Sequence, residues 1–242
     1  MSKPSGAIDM TQGKPINLML RFALPMMIGS IFQSLYSMVD SAVLGRFVGS
    51  HALAAIGATT STTGLILLLA TGVTSAISIV LSQYVGANDT DRVRKGIVAS
   101  GWITLLLGVV LGLISVFAAR PLMQLLKTPE DVIDMSVLYI QIVCGCGIAQ
   151  FAYNAAASIL RALGDSKTPL YFLILCSILN VILDLISVIG LNMGVAGVAV
   201  ATVGSQAISA AICILVMFRK YPDLMPKRHT LRPDMPLSLI HI

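Results

Sequence analysis

Charge is what this chain has least of. Only 11% of its 242 residues are Asp, Glu, Lys or Arg, against roughly 25% in a soluble domain, and 56% are hydrophobic, so a globule bathed in water is excluded and lipid is the solvent the chain is written for. Cysteine is sparse as well. All four (Cys144, Cys146, Cys176, Cys213) fall in apolar runs, and Cys144 and Cys146, two apart on a helix, face different directions, which argues against a metal site or a local disulfide and for soft apolar packing. No Gly-x-Ser-x-Gly, His-Glu-x-x-His or P-loop pattern occurs, leaving no warrant for a hydrolase or an ATPase. A cleavable signal peptide is also missing, because residues 1–17 are polar and the first apolar run is too long and has no small-residue cleavage site.

What is present is a series of long apolar runs. Crossing about 30 Å of hydrocarbon takes 18 or more such residues, and segments 22–39, 52–80, 96–119, 135–160 and 185–218 qualify. Residues 169–183 reach spanning length once Asp184 and the apolar residues after it are counted. The expected fold is therefore all-α, a polytopic membrane protein with six helices at about 18–43, 52–82, 96–119, 133–162, 169–190 and 193–218. Residues 1–17 form a cytoplasmic N-terminal segment, and residues 219–242, with Pro222, Pro226, Pro233 and Pro236, form a basic, proline-broken cytoplasmic linker. Its ending on "LSLIHI" reads as an interruption before a second lobe.

Lys and Arg in short loops stay on the cytoplasmic side. With both termini inside, Lys3, Lys14, Arg21, Arg92, Arg94, Lys95, Arg161, Lys167, Arg219, Lys220, Lys227, Arg228 and Arg232 are inner, and only Arg46, Arg120 and Lys127 are outer. This split places the protein in the cytoplasmic membrane and explains the net charge of +5 without nucleic acid. In the inner loops, Gly86 and Gly164 are expected to close helices, Asp89 to Asp91 to cap the third, and Thr168 to cap the fifth, with Pro169 in its first turn. The sequon at Asn88 is inner and should be unmodified. The short outer loops "GRFVGSHA" and "IGLNMGV" should make helices 1 and 2, and 5 and 6, antiparallel neighbours, while the Gly- and Ala-rich sixth helix allows close approach.

Asp40 and Asp184 are the only acidic residues well inside the spans. A carboxylate at membrane depth costs on the order of 2.5 to 3.5 kcal/mol and marks an ion or proton pathway, unless it sits at an interface or binds a neighbouring Arg. Both helices rise from the inside. Asp40 lies 19 residues above Arg21 and Asp184 16 above Thr168, roughly 24 to 28 Å up, so the two share a level. Asn180 at i−4 from Asp184, and Tyr36 and Gln33 at i−4 and i−7 from Asp40, extend each into a polar stripe. Two carboxylates facing one cavity cannot both remain ionised alone, so a proton or a cation must join them. Thr202 could add a neutral oxygen at similar depth, or bond its own helix backbone. Asn154 reckons nearer the inner side.

Taken together, "SMVDSAVLGRFVG", "SQYVGANDTDRVRKG", "NAAASILRALGDSKTPL", "LNVILDLISVIG" and "MGVAGVAVATVGSQ" resemble, in order and spacing over about residues 10–220, the successive signatures of the multidrug and toxic compound extrusion (MATE) transporters. That resemblance implies the N-terminal six-helix lobe of a two-lobe antiporter that exports organic cations and drugs in exchange for H+ or Na+, with no other cofactor. It also implies that Asp40, Asn180, Asp184 and Thr202 form the cation-coupling site, as H+ or Na+ ligands, with Tyr36, Gln33 and Asn154 supporting. The expected partners are membrane lipid, small cationic substrates and a C-terminal lobe or a second copy. Leu185 stands where the family commonly has a helix-kinking proline, which puts the bend of that helix in question.

Three rivals are weaker. An intramembrane aspartyl protease also needs two membrane aspartates, but its Tyr-Asp and Gly-x-Gly-Asp patterns are replaced here by Val39-Asp40 and Leu183-Asp184. A lipid-linked saccharide flippase of the same superfamily would line its cavity with several basic residues for a phosphate, and the spans are read as containing none. A non-transporting membrane scaffold leaves the paired carboxylates unexplained.

Overall fold

The computed structural model describes residues 14–224. Most of the expected N-terminal segment, and the linker beyond Leu224, lie outside the described residues. The described chain is helical throughout, with no strand: α1 Pro15–Phe47, α2 Ser50–Gly86, α3 Thr90–Leu125, α4 Glu130–Gly145, α5 Ile148–Ala162, α6 Lys167–Leu185 and α7 Gly194–Lys220. Five of these helices are long and apolar enough to cross a membrane, and α4 with α5 makes a sixth span bent by 45°. Each expected span is present, and most run several residues past their apolar cores into polar caps.

The fourth span is one helix by sequence and two in the structure. The break falls at Cys146 between Gly145 and Gly147, where a methyl group on Gly147 would sit 2.9 Å from the Cys144 carbonyl oxygen. Two glycines of α3 press against it: a Cβ on Gly112 would meet the Gly145 carbonyl at 3.0 Å, and one on Gly108 the Ile148 Cα at 3.2 Å. Lipid supplies no hydrophobic drive between helices, so backbone approach of this kind is what holds them. A continuous apolar run conceals the break.

Helix ends correct the sequence reading in two places. Asp89 caps α3 as expected, accepting the Arg92 N–H at 3.0 Å, and Gly164 takes the left-handed turn after α5 at φ 83°. After α2, however, Asn88 and not Gly86 turns left-handed, at φ 57°. At the start of α6 the N-cap residue Ser166 makes no side-chain cap, and Asp165 just before it accepts the Thr168 N–H on Oδ1 at 3.1 Å; Thr168 is capped, not capping. The linker also begins later than expected. α7 continues through Lys220, and Pro222–Leu224 form a single 3-10 turn whose Asp223 carbonyl accepts from Arg94 Nε at 2.7 Å.

α6 and α7 pack along their length, as their short connection requires, but α1 lies mainly on α6 and touches α2 only lightly. The short loop joins α1 and α2 without making them close neighbours. Three apolar clusters fill the lobe, one around Leu81, Ile97, Leu160 and Met217 at the end carrying Arg94 and Lys220, one around Leu44, Tyr139, Val188 and Val198 at the opposite end, and one around Met123, Ile133 and Ile140 between α3 and α4. At the basic end Asp165, 1% exposed, is clasped by Lys220 Nζ at 2.7 Å, the Thr168 hydroxyl at 2.6 Å and the Tyr221 hydroxyl at 3.3 Å. All four cysteines are free, Cys144 buried and Cys146 exposed, consistent with the opposed directions expected of them.

Candidate functional site

Helical spacing assembles the site from three helices. On α1, Tyr36 and Asp40 stand four apart on one face; on α6, Asn180 and Asp184 do the same. Directly after Asp184 the backbone widens into a π turn, Ile186–Gly190, closed by the Leu191 N–H to the Ile186 carbonyl at 3.0 Å, a local geometry frequent at functional sites. Leu185 retains the N–H that a proline would lack, and the helix widens here beyond it. Gly197 of α7 then fits against this turn, where a Cβ would meet Ser187 Cβ at 3.1 Å. That close start brings Thr202 against Asn180.

Three of the four residues are buried together, and Asp40 is half-buried beside them. Asp184 is 0% exposed, Asn180 1% and Thr202 6%, and the Asp40 and Asp184 carboxyls stand close enough to act on each other. Asn180 Nδ2 faces Thr202 Oγ1 at 3.5 Å, and the Thr202 hydroxyl donates to the Val198 carbonyl at 2.9 Å, which leaves its lone pairs free. Of the two readings open for Thr202, the bond to its own helix backbone is seen, with its oxygen also set against Asn180. Neither aspartate has a basic partner among the described residues; the ion pairs there use Asp89, Asp91, Asp131, Asp134 and Asp165. An Arg-bound structural role for the pair is thereby removed.

Both oxygens of Asp184, Oδ1 of Asp40 and Oδ1 of Asn180 are buried without a hydrogen-bond donor. Buried polar atoms are almost always satisfied, because leaving one unmet costs 1 kcal/mol or more. Four acceptors without a donor have the chemistry that a proton or a cation would satisfy. No group of three His, Cys, Asp or Glu occurs among the described residues, so the ligand set is two carboxylates with neutral oxygens, suited to a hard cation and not to a transition metal. Na+ fits the residues present.

Two expected members stand elsewhere. Gln33 and Asn154 line a cavity of about 180 Å³ between α1, α5 and α6, which none of Asp40, Asn180, Asp184 and Thr202 lines. The depth estimate for Asn154 agrees with this placement better than the grouping implied by resemblance. Tyr36 does stay with the carboxyls, and so does Tyr139 of α4, which senses both aspartates and Tyr36 and which sequence reasoning missed; a lone tyrosine in "VLYIQIV" carries no polar stripe to announce it. Arg161 is a second correction. It belongs to α5 and lines the Gln33 and Asn154 cavity, so the spans do hold a basic side chain facing a cavity.

The family model described as MatE matches residues 25–186. The "Probable multidrug resistance protein YpnP" of Bacillus subtilis is 34% identical over 84% of this chain and 46% of its own length. The "Probable multidrug resistance protein YoeA" of the same organism is 31% identical over 88% of this chain and 45% of its own. A solved structure described as the outward-facing conformation of a multidrug resistance MATE family transporter of the MOP superfamily superposes with a TM-score of 0.84 at 25% identity, covering 98% of this chain and 54% of that one. The chain spans about half the length of the curated relatives it matches.

Proposed function

The chain belongs to the MatE family, and on that premise we propose that it is a cation-coupling lobe of an antiporter that exports small organic cations and drugs across the cytoplasmic membrane in exchange for H+ or Na+. The observation that carries this reading is the set of four buried oxygens, from Asp40, Asn180 and Asp184, that have no donor. A coupling cation supplies what they lack.

In this mechanism H+ or Na+ reaches Asp40 and Asp184 from outside and joins the two carboxyls, with Asn180 and Thr202 completing the shell. Each inward charge gains about 2.3 kcal/mol per 100 mV of membrane potential. Drawing Asp40 toward Asp184 repacks α1 against α6, and the π turn after Asp184 lets that end of α6 adjust. The altered face releases the organic cation. Alternating access needs one bundle to rock against another, so the working transporter pairs this lobe with a second one, either a C-terminal lobe or another copy. The basic loops at the Arg94 and Lys220 end face the cytoplasm by the positive-inside rule.

The test is efflux of ethidium from vesicles holding the protein, driven by an imposed gradient of H+ or of Na+. One gradient is expected to drive ethidium movement, and collapsing it with nigericin for H+ or monensin for Na+ to stop it. Ethidium movement indifferent to both gradients would reject the proposal.

A further inference from the structure

The cavity holding Gln33 and Asn154 is a separate feature with chemistry of its own. Its polar end is Arg161, half-buried in the last turn of α5, with one guanidinium nitrogen donating to Ser158 Oγ at 2.7 Å. Among the described residues Arg161 has no carboxylate partner, and none of the residues lining the cavity is acidic. The nearest buried acid in sequence, Asp165, is committed to Lys220, Thr168 and Tyr221. Ser166, 3% exposed, lines the same cavity with a hydroxyl that meets no partner. A guanidinium with no acid beside it and a hydroxyl with no partner thus share one cavity, and a half-buried cation without a counter-charge is costly.

The remaining lining mixes the neutral polar groups of Ser30, Gln33 and Asn154 with an apolar wall. Met26, Leu170 and Leu173 close one side, and the Tyr153 hydroxyl donates its proton to the Pro169 carbonyl at 3.0 Å. We infer that this cavity between α1, α5 and α6 binds the oxyanion of an amphiphile, a carboxylate or phosphate held by the Arg161 fork and the Ser166 hydroxyl with its apolar body along Met26, Leu170 and Leu173. Guanidinium is the side chain whose donors match such a group in pairs. The site has the opposite polarity to the carboxylate site, whose oxygens want a cation, and it does not rest on the coupling mechanism.

Binding of dansyl-undecanoic acid to the purified protein in an uncharged detergent tests this, with the methyl ester of the same probe as the uncharged control. The acid is expected to bind saturably and the ester not to; Arg161→Ala should weaken acid binding at least tenfold, Arg161→Lys less, and Ser166→Ala a few-fold. Should Arg161→Ala fail to fold, Arg161→Gln and Ser166→Ala carry the comparison. Competition by added phosphatidylglycerol, but not by diacylglycerol, identifies a lipid headgroup as the natural oxyanion; undiminished probe binding identifies a free amphiphile, and either result upholds the site. Equal affinity for acid and ester, or for wild type and folded Arg161 variants, overturns it. Because Arg161 is read by probe binding and Asp184 by cation coupling, one reading can fail without the other.

Discussion

Asp184→Asn is expected to leave every helix inserted while reducing cation affinity, and with it coupled export, by about thirtyfold to a few thousandfold. The magnitude follows from the geometry. Removing one charge from a buried charged site costs about 2–5 kcal/mol in binding, and each 1.4 kcal/mol is a factor of ten. Stability should move the other way or not at all, since the substitution neutralises a fully buried carboxyl whose two oxygens have no donor and an isosteric neutral group there is tolerated or stabilising. Asp40→Asn should act in the same direction. Efflux of ethidium paired with a thermal melt of the purified variants checks both halves. Unimpaired efflux in both variants would remove the aspartates from the mechanism, and efflux lost together with the melt would make their role structural.

Lys220→Met is expected to lower the stability of the lobe by about 3 kcal/mol, the usual cost of leaving a buried charge without its partner. The Asp165 carboxylate would keep only Thr168 and Tyr221 as donors. This clasp ties the α5–α6 connection to the end of α7, so its loss should appear as earlier opening of that end in hydrogen exchange. Its pH dependence has a definite sign. Burial pushes the Asp165 carboxyl up, but the Lys220 ammonium and the Thr168 hydroxyl and amide outweigh burial and hold it below the usual carboxylate range. A group depressed in the folded state contributes its full stability above its unfolded value and loses it as pH falls through the folded one. Burial and the adjacent Asp165 carboxylate raise the Tyr221 phenol, so its contribution is complete below the ordinary phenol range and is lost as pH climbs above it. The wild-type melt should therefore fall off in strong acid more steeply than that of Asp165→Asn. Equal acid sensitivity would show that the clasp contributes nothing.

Much of this was legible because membrane proteins spend charge sparingly. Spans 1, 2, 3, 4 and 6 announce themselves by apolar runs, span 5 once Asp184 is counted in, and the i, i+4 spacing of Asn180 with Asp184 and Tyr36 with Asp40 places each pair on one face before any coordinates are known. Depth counted at 1.5 Å per residue then brings the two aspartates level, as found. What stayed hidden was set by tertiary contacts. The break at Cys146 depends on Gly108 and Gly112 of another helix; Tyr139 joins the carboxyls because α4 is turned by that break; and α1 chooses α6 over α2 for reasons no loop length reveals. Arg161, inside the expected span 133–162 but counted with the inner charges, was not read as lining a cavity, because one residue from the end of α5 a sequence pattern cannot tell a side chain that reaches water from one that points inward.

The central claim is that Asp40, Asn180, Asp184 and Thr202 hold the coupling cation. The direct measurement is calorimetric titration of the purified protein with Na+ at several pH values, in wild type, Asp40→Asn and Asp184→Asn. The account predicts either Na+ binding in competition with protons, or proton uptake near neutral pH without Na+ binding, and the loss of that signal in both variants. Identical titrations in all three proteins would contradict it.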